Sequence, residues 1–230
     1  MRLFRPCSIA GWLCPDALFR IKTDEKLLYL TFDDGPDPDS TPQLLDILDE
    51  HSVKVLFFCE GRAAEKYPEL IKLMISRGHI IGNHSHMHPD GWRTSTEKYI
   101  EDVSKAAGVT SSVLFRPPFG RIGMKQYRQL KNQYRIIFWD IMPYDFDGNF
   151  GSKRSLQILK KKIRPGSVIV LHDTPSSSAN TVIGEFLTYA VSSGYRFEMI
   201  DFVRNSPFSS FSLNPSPTHS LKSEGGSDKG

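Results

Sequence analysis

The sequence is poor in cysteine, in net charge and in long apolar runs. Three cysteines among 230 residues, without paired spacing, exclude a fold built on a disulfide framework. A net charge of +3 is too small to indicate a protein that binds nucleic acid. The chain also lacks an uninterrupted stretch of about 18 apolar residues, so no transmembrane helix is predicted.

A clear signal peptide is missing as well. The apolar patch from Ile9 to Leu13 is shorter than the hydrophobic region of a secretory signal. We therefore expect residues 1–24 to form an N-terminal arm that packs on the domain, and a contact with a membrane surface stays open. The sequence does not determine the compartment, but it favours a location in the cytoplasm or at the membrane periphery.

What the chain does contain is a repeated alternation of strand and helix signals. Short apolar runs rich in Val, Ile and Phe predict buried parallel strands at 27–32, 53–58, 79–82, 112–115, 135–139, 167–171 and 195–200. Helical stretches lie between them at about 41–50, 64–76, 95–107, 123–131, 153–162 and 180–192. This alternation predicts an α/β fold. Because polar groups follow nearly every strand, we expect a barrel with fewer than eight strand–helix units rather than an open sheet.

The composition changes near the C-terminus. Residues 25–204 carry the strand and helix pattern and are predicted to form one domain. From about residue 205 the chain is rich in Ser, Pro, Gly and Lys. Such a segment buries too little apolar surface to order itself, so residues 205–230 are predicted to be a disordered tail.

An acidic pair and two histidines follow two of the predicted strands. Asp33 and Asp34 end the first strand, and His84 and His88 follow the third. Adjacent carboxylates repel each other unless a cation or an arginine compensates them. Histidines four residues apart lie on the same side of one helical turn and are good zinc ligands. Ser85 stands where a zincin would need Glu, which excludes that class.

One carboxylate with two histidines leaves metal positions open for water and substrate. The other carboxylate is then free to act as a general base. Arg116 precedes two stiff prolines and is predicted to orient that base, although a surface salt bridge is the simpler alternative. His172 would protonate a leaving amine, with a nearby acid such as Asp145 adjusting its pKa.

These segments resemble the five ordered motifs of the NodB-type polysaccharide deacetylases, carbohydrate esterase family 4. The segments are Thr31-Phe32-Asp33-Asp34-Gly35, His84-Ser85-His86-Met87-His88, Arg116-Pro117-Pro118-Phe119-Gly120, the stretch from Trp139 to Phe146, and Leu171-His172. The resemblance covers roughly residues 25–202. Five motifs in the right order are highly specific, whereas any one alone would not be.

The resemblance implies a distorted (β/α) barrel of about seven parallel strands. It also implies a divalent metal, usually zinc, with cobalt or another divalent ion as the alternative. It assigns Asp33 as the base and Asp34, His84 and His88 as the metal ligands. The remaining roles it implies are these: Arg116 holds the base, His172 is the acid, Asp145 tunes His172, Leu171 lines the pocket for the acyl methyl, the backbone N–H of Phe119 donates to the oxyanion, and Tyr144 and Phe146 form an aromatic wall.

The resemblance is imperfect in the fourth motif. The family often has Asp-x-x-Asp-Trp there, and this chain has Met142-Pro143-Tyr144-Asp145-Phe146. The changed aromatic wall leaves the identity of the substrate open. We expect a metal-dependent hydrolase that removes N-acetyl groups from a glycan containing amino sugars. An O-acetyl esterase on the same scaffold and a catalytically silent relative that binds a glycan or a protein partner are the alternatives.

Aromatic residues near the polar motifs, Tyr144 and Phe146 among them, would supply apolar surface for the faces of sugar rings. Trp92 and Trp139 are candidates for stacking on sugar rings, although Trp139 ends an apolar strand and is expected in the core. The sequence shows no resemblance to an appended carbohydrate-binding module. We therefore expect short or lipid-linked glycans to be better substrates than crystalline chitin.

Overall fold

The computed structural model describes residues 4–6 and 8–200. Cys7 and the tail predicted for residues 205–230 lie outside this range. Seven strands occur in the described part of the chain, and each coincides with a predicted one, with shifted ends. They are β1 Leu27–Asp34, β2 Leu56–Cys59, β3 Ile80–Asn83, β4 Leu114–Phe115, β5 Arg135–Ile136, β6 Ser167–His172 and β7 Arg196–Phe197.

Helices occupy the connections between the strands. They are α1 Ser8–Leu13, α2 Thr41–Glu50, α3 Gly61–Lys66, α4 Pro68–Ser76, α5 Thr96–Thr110, α6 Met124–Leu130, α7 Ser152–Lys162 and α8 Ala179–Ser192, with a short 3-10 turn at Pro118–Gly120. The single helix predicted over 64–76 is wrong, because the structure has two. Tyr67 leaves the helical conformation with φ −126° and ψ 58°, since the ring of Pro68 disfavours helical geometry at the preceding residue.

All strand pairs in the sheet are parallel. The order is β5-β4-β3-β2-β1-β6, and β7 pairs with the first two residues of β1. Isolated bridges from Ile141 to Ile169 of β6 and from Leu18 to Ile137 continue the pairing beyond the two ends of this order. The sheet therefore curls on itself, and the predicted distorted (β/α) barrel is confirmed.

Two hydrophobic clusters support the sheet. The larger joins β1 and β6 to α2 and α8, with Phe32, Ile169 and Phe186 fully buried. The smaller joins β4 and β5 to α5 and α6 around Tyr99 and Phe115. Because side chains on both faces of β1 are buried, that strand is apolar up to Asp33 except for Thr31, whose hydroxyl donates to the carbonyl of Ile169 at 2.8 Å.

The arm lies along the barrel. Leu18 exchanges backbone hydrogen bonds with the end of β5: its N–H donates to Ile136, and its carbonyl accepts from Phe138. The ring of Phe19 stacks on Phe138 at 4.7 Å between centroids. Trp12 on α1 is exposed, and a membrane-surface contact there stays a prediction. Within the described residues, every helix is too short or too polar to cross a bilayer.

The strand register brings the polar signatures to one rim. Asp33 of β1 is in register with His172 of β6, and Asp34 is in register with Cys59 of β2. Asn83 of β3, which precedes His84, is in register with Phe115 of β4, which precedes Arg116. Residues from distant parts of the sequence therefore meet at the carboxyl ends of the strands.

Candidate metal centre and active site

Three side chains converge at the end of β1. The Nε2 atoms of His84 and His88 lie 3.4 Å and 3.3 Å from the same carboxylate oxygen of Asp34. Each of the three residues offers one possible metal-ligand atom, and these three atoms lie within 4.8 Å of one another. A carboxylate and two imidazoles are donors that zinc and other divalent cations accept.

The two histidines do not share a helical turn, so that part of the sequence reasoning is wrong. The segment after β3 is an irregular loop in which Ser85 and His88 have positive φ of 65° and 56°. Side chains inside the loop hold this shape. Asn83 Oδ1 accepts from the N–H of Ser85 at 2.7 Å, and Ser85 Oγ accepts from the N–H of His88 at 3.1 Å.

A further acid supports the same loop from outside. The carboxylate of Asp102 on α5 accepts hydrogen bonds from the backbone N–H of His86 at 2.7 Å and of Met87 at 3.1 Å. The sequence analysis did not identify Asp102. One acid on a polar helix gives no signal of its own, and only the packing of α5 against β3 reveals its partner.

The orientation of His84 is determined by its second ring nitrogen. Nδ1 of this buried side chain lies 2.9 Å from the carbonyl oxygen of Arg116. Because a carbonyl only accepts, Nδ1 carries a proton here, and Nε2 is the ring atom that faces Asp34. Nε2 of the protonated ring donates to Asp34, whereas the neutral ring has its lone pair on Nε2. This tautomer is the one that a metal ligand requires, so the three residues fit a divalent cation.

The electrostatics of this cluster depend on close contacts between opposite charges. Burial alone would raise the pKa of Asp34, but hydrogen bonds from His84 and His88 lower that pKa below its ordinary value. Burial would likewise lower the pKa of His84, but the charges of Asp33 and Asp34 raise it. The cluster therefore keeps Asp34 ionised and available as a ligand.

Asp33 has a different partner from Asp34. Nη1 of Arg116 donates to Oδ1 of Asp33 at 2.6 Å, and both residues are buried. The surface salt bridge considered for Arg116 is therefore wrong. Arg116 also donates to Thr31 Oγ1 at 2.7 Å and to the carbonyls of Ile137 and Phe138 at 3.1 and 2.9 Å. With four of its five N–H donors engaged, the guanidinium is fixed and holds Asp33 in place.

His172 is paired with Asp145. Nδ1 of the ring lies 3.0 Å from Asp145 Oδ1, and the backbone N–H of His172 donates to Oδ2 at 2.7 Å. Burial would lower the pKa of His172, but the charge and hydrogen bond of Asp145 raise it to about 9. Ser177, which the sequence analysis missed, also donates to Asp145 at 2.7 Å. The imidazole is therefore protonated at neutral pH.

Asp173, which follows His172, is a buried acid to which the sequence analysis assigned no role. Its carboxylate accepts from Ser40 Oγ at 2.6 Å and from Thr41 Oγ1 at 2.5 Å. Burial raises the pKa of this carboxyl to about 6, while the two hydroxyl hydrogen bonds oppose the increase. Asp173 thereby ties the end of β6 to the start of α2.

Aromatic rings flank the cluster on two sides. The ring of Phe119 lies 4.5 Å from that of His88, and the ring of Phe146 lies 4.7 Å from that of His172. Both aromatic side chains are exposed. Tyr144 lies behind Phe146 at 5.6 Å. These rings form the walls of an open site, with the predicted ligands and acid–base residues between them.

Two other predicted residues lie deeper in the structure. Leu171 is fully buried in the larger hydrophobic cluster, and its contact with an acyl group stays a prediction. Trp139 is half-buried and packs on the smaller cluster. Its ring occupies the space that a Cβ at Gly120 would need. Trp139 therefore supports the turn that carries Phe119, which agrees with its expected place in the core.

Comparison with known proteins gives the same family as the motifs. The family model for polysaccharide deacetylases matches residues 20–138. The peptidoglycan-N-acetylmuramic acid deacetylase PdaA of Bacillus subtilis (strain 168) is 35% identical over 199 residues, which are 81% of this chain and 74% of that protein. A chitooligosaccharide deacetylase of Sinorhizobium fredii is 34% identical over 172 residues, 70% of this chain and 80% of that protein.

Solved structures agree with these sequence relatives. The crystal structure of the Bc1960 peptidoglycan N-acetylglucosamine deacetylase is 28% identical to this chain and superposes with a TM-score of 0.78. The match covers 83% of this chain and 94% of that one. The predicted resemblance is confirmed over most of the described residues. From motif order, barrel topology and these relatives together, the chain belongs to the polysaccharide deacetylase family, carbohydrate esterase family 4.

Proposed function

We propose that this protein is a metal-dependent deacetylase that hydrolyses the N-acetyl groups of a glycan containing amino sugars. The observation that carries the proposal is the separation of the two acids at the end of β1. Arg116 holds Asp33, whereas His84 and His88 contact Asp34. One carboxylate is thereby available as a base and the other as a ligand.

Asp34, His84 and His88 would hold the divalent ion, with zinc as the first choice because of the two imidazole donors. When bound there, such an ion polarises a carbonyl and lowers the pKa of its water. The neutral tautomer of His84, set by the carbonyl of Arg116, supports this assignment. Cobalt or another divalent ion would suit the same donors.

Asp33 is the general base in this proposal. It takes a proton from the attacking water as the oxygen bonds to the acetyl carbon. Arg116 holds the carboxylate in one direction through the 2.6 Å contact. Because Arg116 is itself fixed by carbonyl oxygens and Thr31, the base has little freedom to turn toward the ligands.

His172 is the general acid. The amide C–N bond breaks only when the departing nitrogen gains a proton, since a free amide anion is a poor leaving group. Asp145 raises the pKa of His172 to about 9, so the ring carries that proton at neutral pH. Transfer of the proton yields a free amine on the sugar and acetate. An ester needs this proton less, because an alkoxide is a better leaving group than an amide anion. A protonated His172 in the site therefore favours N-deacetylation over O-deacetylation.

The remaining residues would shape the acyl and sugar pocket. The backbone N–H of Phe119 is assigned to the developing oxyanion, a role that uses the main chain and so tolerates Phe in place of the usual Tyr. Leu171 would contact the acetyl methyl. Phe146 and Tyr144 would form the wall beside His172. The 4.5 Å and 4.7 Å contacts of Phe119 and Phe146 with the histidine rings support these placements.

The test is acetate release from a panel of soluble glycans. The panel contains chitin oligosaccharides, peptidoglycan glycan fragments and an O-acetylated xylan oligomer, each assayed with and without a chelator. We expect acetate from at least one N-acetylated substrate, loss of activity with chelator, and recovery when zinc is returned. Matched appearance of a primary amine identifies amide cleavage.

Other results would contradict the proposal. Acetate from the O-acetylated substrate alone would make the protein an esterase. Binding of an oligosaccharide without any acetate release, in protein shown to be loaded with metal, would indicate a silent relative. A rate unaffected by chelator in protein freed of metal would remove the assigned role of Asp34, His84 and His88.

A further inference from the structure

An exposed tryptophan lies beside the active site and is held in one orientation. The side chain of Trp92 is 70% exposed. Its indole Nε1 donates to the carbonyl of Ile122 at 3.3 Å, and its backbone N–H donates to Asp90 Oδ1 at 3.0 Å. The ring therefore presents a fixed apolar face to solvent.

Arg121 connects this ring to the active site. Its guanidinium lies 5.2 Å from the ring of Trp92 and 5.7 Å from the ring of Phe119. Phe119 in turn contacts the ring of His88, a proposed metal ligand. Nη1 of Arg121 is bound to Asp90 Oδ2 at 2.5 Å. The rings of Phe119 and Trp92, with the guanidinium of Arg121 between them, thus form a continuous surface that leads away from the proposed metal centre.

The loop that carries Trp92 is braced by Gln126 of α6. Its Nε2 donates to the carbonyls of Gly91 at 2.9 Å and of Thr94 at 3.1 Å, and its Oε1 accepts from the N–H of Gly123 at 2.7 Å. Gln126 is buried. Gly91 itself has no room for a Cβ, because the carbonyl of Arg121 occupies that place. The surface is therefore formed before any ligand arrives, which reduces the entropy lost on binding.

We propose that Trp92 and Arg121 form a subsite for a second amino-sugar ring of the glycan chain, next to the ring that is deacetylated. The inference rests on the proposed function and specifies its substrate as an oligosaccharide that extends toward α6. The carbon–hydrogen face of a pyranose packs on the indole ring. Arg121 has five donors, of which Asp90 takes one, so the guanidinium is able to donate to hydroxyl, acetyl or carboxyl oxygens of the sugar.

Isolated exposed apolar residues are ordinary on protein surfaces, and exposure alone does not mark a site. Trp92 differs because its indole and its loop are fixed by hydrogen bonds and because the surface is continuous with a proposed ligand through Phe119. Ile75 on α4, which is 56% exposed, serves as the matched control for loss of exposed apolar area.

The experiment measures both binding and turnover for chitin oligosaccharides from the disaccharide to the hexasaccharide. Binding is followed by calorimetry in the background of Asp33→Asn, and kcat and KM are measured with the active base. The variants are Trp92→Ala, Trp92→Phe and Ile75→Ala. In the wild type we expect affinity to increase at the chain length that first reaches Trp92.

Trp92→Ala should remove that increase, raising Kd and KM of the hexasaccharide about tenfold, the equivalent of one stacked ring. The kcat should stay within about twofold, because the reacting atoms are not touched. Trp92→Phe should recover most of the affinity, and Ile75→Ala should equal the wild type. A purely structural role for Trp92 would instead lower the melting temperature without dependence on chain length.

Two results would overturn the subsite. One is equal affinity of Trp92→Ala and wild type for every chain length. The other is a loss for Trp92→Ala that is the same for the disaccharide and the hexasaccharide. If binding depends on Trp92 but no variant with the active base releases acetate, the proposed function is refuted and the subsite stands. If acetate is released and neither KM nor Kd depends on Trp92, the subsite is refuted and the proposed function stands.

Discussion

Arg116 Nη1 lies 2.6 Å from Asp33 Oδ1 in the interior of the barrel rim, while the next residue, Asp34, faces His84 and His88. Adjacent carboxylates would otherwise repel each other. The structure relieves this repulsion because Arg116 pairs with Asp33 and the two imidazoles pair with Asp34, and His84 Nε2 also lies 3.8 Å from Asp33 Oδ2. In the proposed function this arrangement assigns proton transfer to Asp33 and metal binding to Asp34, so single substitutions are able to test each role by itself.

The Asp145–His172 pair should determine the alkaline limit of activity. The pKa of His172 is raised from its ordinary value to about 9, so the proton donor is present at neutral pH and is lost as the pH rises through that value. Asp145→Asn removes the charge that raises this pKa. The alkaline limb of kcat/KM should then move to lower pH by at least about one unit.

Asp24→Asn is the control for this measurement, because Asp24 is an exposed acid outside the site. It should leave the pH profile of the wild type unchanged. An alkaline limb that stays in place in Asp145→Asn would show that another group, and not His172, supplies the proton.

The Asp102 carboxylate should contribute to metal affinity although it is not a ligand. It accepts the backbone N–H groups of His86 and Met87 and so holds the loop between His84 and His88. Groups that orient metal ligands commonly contribute a factor of about ten or more to affinity. Asp102→Ala should therefore weaken zinc binding about tenfold, as measured by competition with a chromophoric chelator.

Conservative and neighbouring variants distinguish this role from a loss of fold. Asp102→Asn keeps an oxygen acceptor and should recover much of the affinity. Glu101→Ala changes the exposed acid next to it on α5 and should bind zinc like the wild type. If Asp102→Ala binds zinc with unchanged affinity, the loop is held by Asn83 and Ser85 alone.

The sequence predicts the main structural elements because the central strands are short and largely apolar. Strands β1 and β6 end where Asp33 and His172 interrupt their apolar runs, so the rim of the barrel is visible in the sequence. The motif order then supplies the expected ligands and acid–base residues, and the structure brings those side chains together. The helix break at Tyr67 was also readable in principle, from Pro68.

The supporting contacts could not be predicted in the same way. Asp102, Ser177 and Ser40 act on residues far from them in the sequence, and each is an ordinary polar residue of a helix or a turn. Their roles depend on how helices pack against strand ends, which periodicity does not contain. The helical turn predicted for the two proposed ligand histidines was wrong for a related reason, since a four-residue spacing also occurs in loops.

The C-terminal segment should be dispensable. Residues from about 210 onward are predicted from composition to be disordered, and they lie outside the described residues. Truncation after residue 210 should leave the melting temperature and acetate release equal to those of the full chain. A lower melting temperature or a lost activity would assign this segment a role in the fold or the site.

Soluble glycans should be better substrates than a crystalline polymer. The described surface beside the ligands is an open site with a few exposed rings, Phe119, Phe146 and Trp92. Such a site holds a short chain but does not hold a crystal face. Initial rates of acetate release should be higher for N-acetylglucosamine oligomers or peptidoglycan fragments than for insoluble chitin. Faster deacetylation of the insoluble polymer than of every soluble glycan would contradict this.

The most direct test of the account is a parallel measurement of metal content and acetate release in the wild type, Asp33→Asn and His84→Ala. Asp33→Asn should retain one equivalent of divalent metal and lose activity by a factor on the order of a hundred to ten thousand, as expected for a general base. His84→Ala should lose both metal and activity. Equal metal content in His84→Ala and wild type, or a near wild-type rate in Asp33→Asn, would contradict the assignment of ligand and base at the end of β1.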